Sequence, residues 1–237
     1  MKHAKTAPCA AVYRRPVDLP WTGRFDSAAA TLTDRSSVGY GTAVSRVREF
    51  DTDEVVRQAM EVFWRHGYEA TSIQDLTEAT GLGRGSLYAA FGSKHGLYEQ
   101  ALQRYVRQTS DVVREALVRR VPIRQILRDL LLGRIDDALE VPGRPGCLMV
   151  MAITERLPRD ETVSRIVQDA LAALQDSFAA TLRLARSMGE LPADTDIDGL
   201  ANFLVTMIQG LRVMTTVCPE QHMMAQVVDT ALLTVPE

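Results

Sequence analysis

The sequence predicts an all-α fold. Apolar residues recur at helical spacings from Val55 almost to the end, and no strand-like alternation competes with them. Helix caps and breakers divide this pattern at regular intervals, and aromatic residues make up only 6% of the chain, which argues mildly against a β-sandwich. The expected architecture is an N-terminal three-helix segment with a helix-turn-helix, followed by a larger helical C-terminal region.

Residues 1–45 stand apart as an extension that is expected to be disordered. Pro8, Pro16, Pro20, Gly23, Gly39 and Gly41 interrupt it, and its apolar residues have no period. Arg14, Arg15, Arg24 and Arg35 offer weak phosphate contacts there, although a tail with no function is the simpler reading. A further alternative is that translation starts near Val44.

Ordered structure is expected from Asp51, whose side chain suits an N-cap, with acids in the first turn. Val55, Ala59, Val62 and Phe63 form one face of a first helix that stops at His66-Gly67. Thr71-Ser72 starts a second helix with Ile73, Leu76 and Ala79 inward. Gly81-Leu82-Gly83 makes a turn, and a short third helix spans Arg84 to Phe91 with Leu87 and Phe91 inward. Ser93 caps a long fourth helix from Lys94, whose stripe is Leu97, Leu102, Tyr105, Val106 and Val113.

Further helices follow. Pro122 fits a first turn ahead of Ile123, Ile126, Leu127, Leu130 and Leu131. Residues 142–146 form a loop, and Cys147 to Leu157 an apolar helix. Asp160 opens a long helix ending at Met188-Gly189. Asp196 or Asp198 caps the next, through Leu200, Leu204, Ile208, Leu211 and Met214. Pro219 ends it ahead of a final helix with Met223, Val227, Val228 and Leu232.

The net charge of −3 lacks the overall basic balance of many nucleic-acid binders. Any such contact must rest on a local surface. The window from Ala79 to Tyr98 provides one, because it holds Arg84, Lys94 and His95 and no acid. Cys9, Cys147 and Cys218 are too few and too scattered for a disulfide framework and suit a reducing cytoplasm. No uninterrupted apolar run approaches the roughly 18 residues of a membrane span, so no membrane partner is expected.

The informative stretch runs from Ser72 to Lys94, with the motif at about residues 71–91. Two short helices about a glycine turn are the helix-turn-helix arrangement, in which the second helix enters the major groove of DNA. Gly83, Gly85, Ser86, Ala89 and Ala90 are small and permit close approach. Arg84 suits phosphate or a guanine edge. Tyr88 presents a hydroxyl one turn later. Thr71, Ser72 and Lys94 stand at helix starts, where free N–H groups favour an anion.

Gly67-Tyr68, Thr71-Ser72-Ile73, the run Gly81 to Tyr88, Phe91-Gly92-Ser93-Lys94 and Leu97 together closely resemble the DNA-binding domain of the TetR (tetracycline-repressor-like) family, over roughly Arg48 to Gln108. The resemblance implies that Thr71 and Ser72 bind phosphate, that Gly83, Arg84, Gly85, Ser86, Tyr88 and Ala89 face DNA, and that Lys94 is the basic residue opening the fourth helix. Two positions depart from the family pattern. Ala90 stands where a bulkier aromatic or His is common, and His95 where an acid is usual, which bears on the operator sequence.

The resemblance further implies a DNA-binding domain at 48–108 and a ligand-binding and dimerisation domain at 109–237. Dimerisation falls to about 162–187 and 196–217 as a four-helix bundle. The implied partners are a palindromic double-stranded DNA operator, a second copy of the chain and a small-molecule inducer. Cys147, Met149, Met151, Phe178, Phe203 and Met207 are pocket candidates, with plain core packing as the alternative for each. Cys147, at a helix start with Arg144 nearby, is also a candidate redox or electrophile sensor. The competing reading is a small buried residue.

An enzyme is the remote rival. His3, His66, His95 and His222 lack metal-ligand spacing, and there is no Gly-x-Ser-x-Gly, Walker or dinucleotide motif. No catalytic residue, metal or cofactor is expected. The resulting expectation is a cytoplasmic transcriptional regulator, more commonly a repressor.

Overall fold

The computed structural model describes residues 50–139, 146–157 and 159–236. The proposed disordered extension, the arginines within it and Arg144 lie outside these residues. Among the described residues there are nine helices and no strand. They are α1 (Thr52–Ala70), α2 (Ile73–Thr80), α3 (Arg84–Phe91), α4 (Lys94–Leu117), α5 (Ile123–Leu139), α6 (Leu148–Arg156), α7 (Glu161–Ser187), α8 (Ile197–Val217) and α9 (Gln221–Leu232).

The N-caps are where sequence chemistry places them. Asp51 accepts from the Asp53 and Glu54 amides, Ser93 from Gly96, Asp160 from Val163 and Asp196 from Gly199. Each satisfies a donor that the first helical turn leaves without a partner. Gly67 has a positive φ of 78°, so α1 bends there and its last residues, Tyr68 to Ala70, leave the helix axis. Only glycine takes this backbone without strain.

The N-terminal helices pack around Ala59, Met60, Phe63, Leu76, Leu87, Phe91, Leu97 and Tyr98, all buried. Phe63 meets Tyr98 edge-on with centroids 5.0 Å apart, and Tyr98 lies 4.8 Å from Tyr68. Ala79, expected inward, is exposed. Helix α2 is only two turns long, and Leu76 is its one fully buried side chain.

The long helix α4 runs on past residue 108, packing against α1 on one side and α6 and α7 on the other. Behind it a second core joins α5, α7, α8 and α9 through Leu127, Leu131, Phe178, Leu182, Leu204, Ile208 and Val228. Helix α8 is long and apolar enough to match a membrane span by composition, against the sequence expectation. Its Leu200, Ala201, Leu204, Ile208 and Leu211 are nevertheless buried in this core.

Candidate nucleic-acid interface

Helix α3 is held by two side chains, Leu87 and Phe91, which are buried one turn apart. Everything else on it, Arg84, Gly85, Ser86, Tyr88, Ala89 and Ala90, is exposed. A helix so short and so lightly anchored keeps its position through its ends. Gly81 takes a left-handed conformation, φ 65°, which closes α2 and turns the chain. The Gly83 carbonyl then accepts the first bond of α3 from the Leu87 amide at 3.1 Å. Gly92, φ 74°, closes it, and Ser93 starts α4 at once.

Gly83 has no side chain to cap α3, so the free amides of the first turn face outward beside Arg84. A Cβ on Gly83 or Gly85 would meet nothing within 4 Å. These glycines are therefore not required by packing within the chain. The Arg84 guanidinium lies 5.6 Å from the Tyr88 ring centroid, which steadies it on the exposed face.

Ser72 is exposed and reciprocally capped. Its hydroxyl oxygen accepts from the Asp75 amide at 3.1 Å, and its own amide donates to Asp75 Oδ2 at 2.7 Å. The Ser72 hydroxyl proton remains to be donated. Asp75 is held below its usual carboxylate range by the Ser72 backbone and side-chain bonds.

Two expected contacts sit differently. Thr71 is only 2% exposed, and its hydroxyl donates to the Gly67 carbonyl at 2.6 Å. Its side chain fastens the bend in α1 and is not on the outer face, which corrects the reading of Thr71 as a phosphate-binding side chain. Lys94 is half-buried, with its ammonium 4.3 Å from the Tyr68 ring centroid, and burial lowers its pKa.

Helix α6 lies directly behind this head. The Trp64 indole donates to the Gly146 carbonyl at 2.7 Å, the Tyr68 amide to Glu155 Oε2 at 2.6 Å, and Arg156 to Glu69 at 2.9 Å. Arg156 also bonds Asp160 and lies 4.3 Å from the Tyr68 ring centroid. His95, at the position that departs from the family pattern, contacts Glu99 at 2.9 Å and Asp160 at 3.6 Å.

At the other end of α6, the buried Cys147 sulfur accepts from Tyr105 Oη at 3.3 Å and Arg212 Nη1 at 3.2 Å. Burial, then the neighbouring Cys147, pushes the Tyr105 phenol upward in pKa. Tyr105 and Arg212 belong to a cleft between α4, α6, α7 and α8, lined also by Val106, Thr109, Ser110, Val113, Met149, Ala170, Leu174, Ile208 and Gln209. Of the six pocket candidates, Met149 lines it and Cys147 touches two lining residues. Met151 does not line it. Phe178 is 1% exposed in the core, and Met207 packs against that core. Phe203 lines a separate hollow with Leu200 and Pro236. Gln209 and Arg212 were missed as lining residues. The available signal was two polar side chains one turn apart within the apolar run of α8.

Two family descriptions match the chain. "Bacterial regulatory proteins, tetR family" matches residues 55–101, and "Tetracyclin repressor-like, C-terminal domain" matches residues 124–231. The chain is 32% identical over 190 residues to the uncharacterized HTH-type transcriptional regulator YezE of Bacillus subtilis, covering 80% of this chain and 98% of that protein. It is 30% identical to the HTH-type transcriptional repressor ComR of Escherichia coli, covering 81% and 92%. Among solved structures it resembles a cysteine mutant of the TetR family transcriptional regulator CifR complexed with 26-base-pair double-strand operator DNA. That match has a TM-score of 0.72 and 35% identity, and it covers 81% of this chain and all of that one.

Proposed function

The chain belongs to the TetR family of bacterial regulatory proteins, a DNA-binding class of transcriptional regulators, and on that premise we propose a homodimeric repressor that a small molecule releases from a palindromic operator. The observation that carries the DNA contact is α3, which exposes six of its eight residues within a stretch, Ala79 to Tyr98, that contains no acid, while Leu87 and Phe91 hold it to the head. Arg84, Gly85, Ser86, Tyr88 and Ala89 enter the major groove, with Gly83 allowing close approach. Ser72 and Lys94 meet flanking phosphates. Residues 48–108 form the reading head and 109–237 the sensing and pairing region. On this reading the chain acts in the cytoplasm as a regulator and not as an enzyme, in keeping with its match to transcriptional regulators.

A second copy docks on α7 and α8. Besides its buried face, α7 carries Ser177, Thr181 and Leu184, with Met188 at its C-cap, at alternating spacings of four and three, and Leu184 and Met188 are 61% and 66% exposed. Helix α8 carries Phe203, Met207, Gly210, Met214 and Val217 at the same spacing, with Met214 and Val217 exposed. Two such stripes from each copy make a four-helix bundle. The dimer sets two α3 helices about 34 Å apart, one DNA turn.

Release works through α6, which touches the cleft at Cys147 and Met149 and the head at Glu155 and Arg156. A ligand that opens the cleft shifts α6, widens the spacing of the heads and lowers operator affinity, by a coupling of typically about 1–3 kcal/mol. Capture of genomic fragments by the purified protein, followed by sequencing, tests the DNA reading. A short palindrome shared by the captured fragments supports it, and indiscriminate capture removes it.

One contact pair favours a second reading of the signal. The Cys147 sulfur accepts from two donors at once, and alkylation by an electrophile would displace both. If N-ethylmaleimide labels Cys147 and operator binding is unaffected, this reading falls.

A further inference from the structure

The cleft between α4 and α8 contains a mismatch that a ligand bearing hydrogen-bond acceptors would resolve in part, at Gln209 Nε2 and Arg212. Both polar atoms of the Gln209 amide are buried and lack any hydrogen-bond partner. Arg212, one turn along α8, donates to the Cys147 sulfur, and among the described residues no carboxylate pairs with it. An unmatched amide and a guanidinium without a counter-ion are both costly away from water. The Gln209 amide is already shielded within one chain, so a second copy docking on the outer stripes of α7 and α8 does not reach it.

Beside Thr109 and Ser110, the cleft has the apolar side chains of Val113, Met149, Leu174 and Ile208 on its walls. As it stands its free volume is about 20 Å³, the space of about one water, so an apolar chain enters only as these side chains part. A guanidinium and a neutral amide donor suit the two oxygens of one carboxylate. One arginine and one amide are too little for a phosphate group carrying two charges. The Tyr105 hydroxyl is committed to Cys147, as is one Arg212 nitrogen, so an arriving anion competes with the sulfur for Arg212. That competition couples the head group to the first turn of α6.

We propose that the cleft takes a small carboxylic acid, with its carboxylate on Arg212 and Gln209 and its apolar chain along Val113, Met149, Leu174 and Ile208. This assignment rests on the reading of the C-terminal region as the sensor and adds the chemical class of the signal.

Calorimetric titration of the full-length protein tests it, using butanoate, hexanoate and octanoate beside the amides and alcohols of equal length. For at least one chain length the acid is expected to bind ten times more tightly than its alcohol. Arg212→Met should abolish that preference while the alcohol still binds. Arg212→Lys, which keeps the charge, should retain part of it, and Gln209→Leu should reduce it. Equal binding of acid and alcohol would overturn the carboxylate and leave the cleft as a ligand site. An acid preference that survives Arg212→Met would overturn the role of Arg212. Binding of no probe by a protein that still holds its operator would remove both the acid and the cleft, and the DNA reading would stand.

Discussion

The backbone N–H of Tyr68 donates to Glu155 Oε2 at 2.6 Å, joining the bend in α1 to the last turn of α6. The bond exists because Gly67 turns the chain out of the helix just before it. The same carboxylate closes the space above Gly67, where a Cβ would run into Glu155 Oε1. Together with Trp64–Gly146 and Glu69–Arg156 it fastens α6 to the reading head at both of its ends. A displacement of α6 at Cys147 therefore has a stiff route to α1.

Replacing Gly67 by alanine should destabilise this joint. The added methyl meets both a positive φ and the Glu155 carboxylate, and strain of this kind is about 1–3 kcal/mol. Thermal unfolding should show a midpoint several degrees lower. An unchanged midpoint would mean that the bend is not held as described.

Asp160 gives a pH dependence whose sign follows from its partners. Burial pushes its pKa upward, but the Val163 amide, Arg156 and His95 outweigh burial and hold it below its ordinary 3.8. Its contribution is complete above 3.8 and is lost as pH falls through the lower folded value. Asp160→Asn keeps a good N-cap and loses the charge, so it should lower stability at neutral pH by about 1–3 kcal/mol. It should also flatten the loss of stability below pH 4. Urea midpoints across that range would measure this, and parallel acid profiles for the two proteins would contradict it.

The apolar stripes of α7 and α8 predict the oligomeric state. Leu184→Glu with Met214→Glu should yield a folded monomer, because both side chains are exposed in the single chain and support no core. Sedimentation would show the change in mass. Operator affinity should fall by about 100-fold or more, because the second half-site is then no longer linked to the first. A variant that stays dimeric would place the interface elsewhere.

Much of this was legible in the sequence because the signals are local. Asp51, Ser93, Asp160 and Asp196 announce helix starts through their own side-chain bonds. Leu87 and Phe91, spaced by one turn, sufficed to orient α3. The inward role of Thr71 was not legible, since a threonine at a helix start suits a phosphate as well as the carbonyl of Gly67. Only the bend at Gly67 decides between them. The cleft was hidden for a similar reason. Methionine and phenylalanine spacings describe core and pocket alike, so Phe178 and Phe203 were indistinguishable from Met149. The pairing of Gln209 and Arg212 with Tyr105 and Cys147 joins residues far apart in the chain, and no helical period encodes it.

The most direct test of the central claim is a titration of Arg84→Ala against the captured operator and against unrelated DNA of equal length. Arg84 is exposed at the first position of α3, with its guanidinium beside the Tyr88 ring, so the fold should be unaffected. Operator affinity should drop by about 1–3 kcal/mol and the preference over unrelated DNA should narrow. Unchanged affinity and unchanged preference would contradict the placement of α3 in the groove.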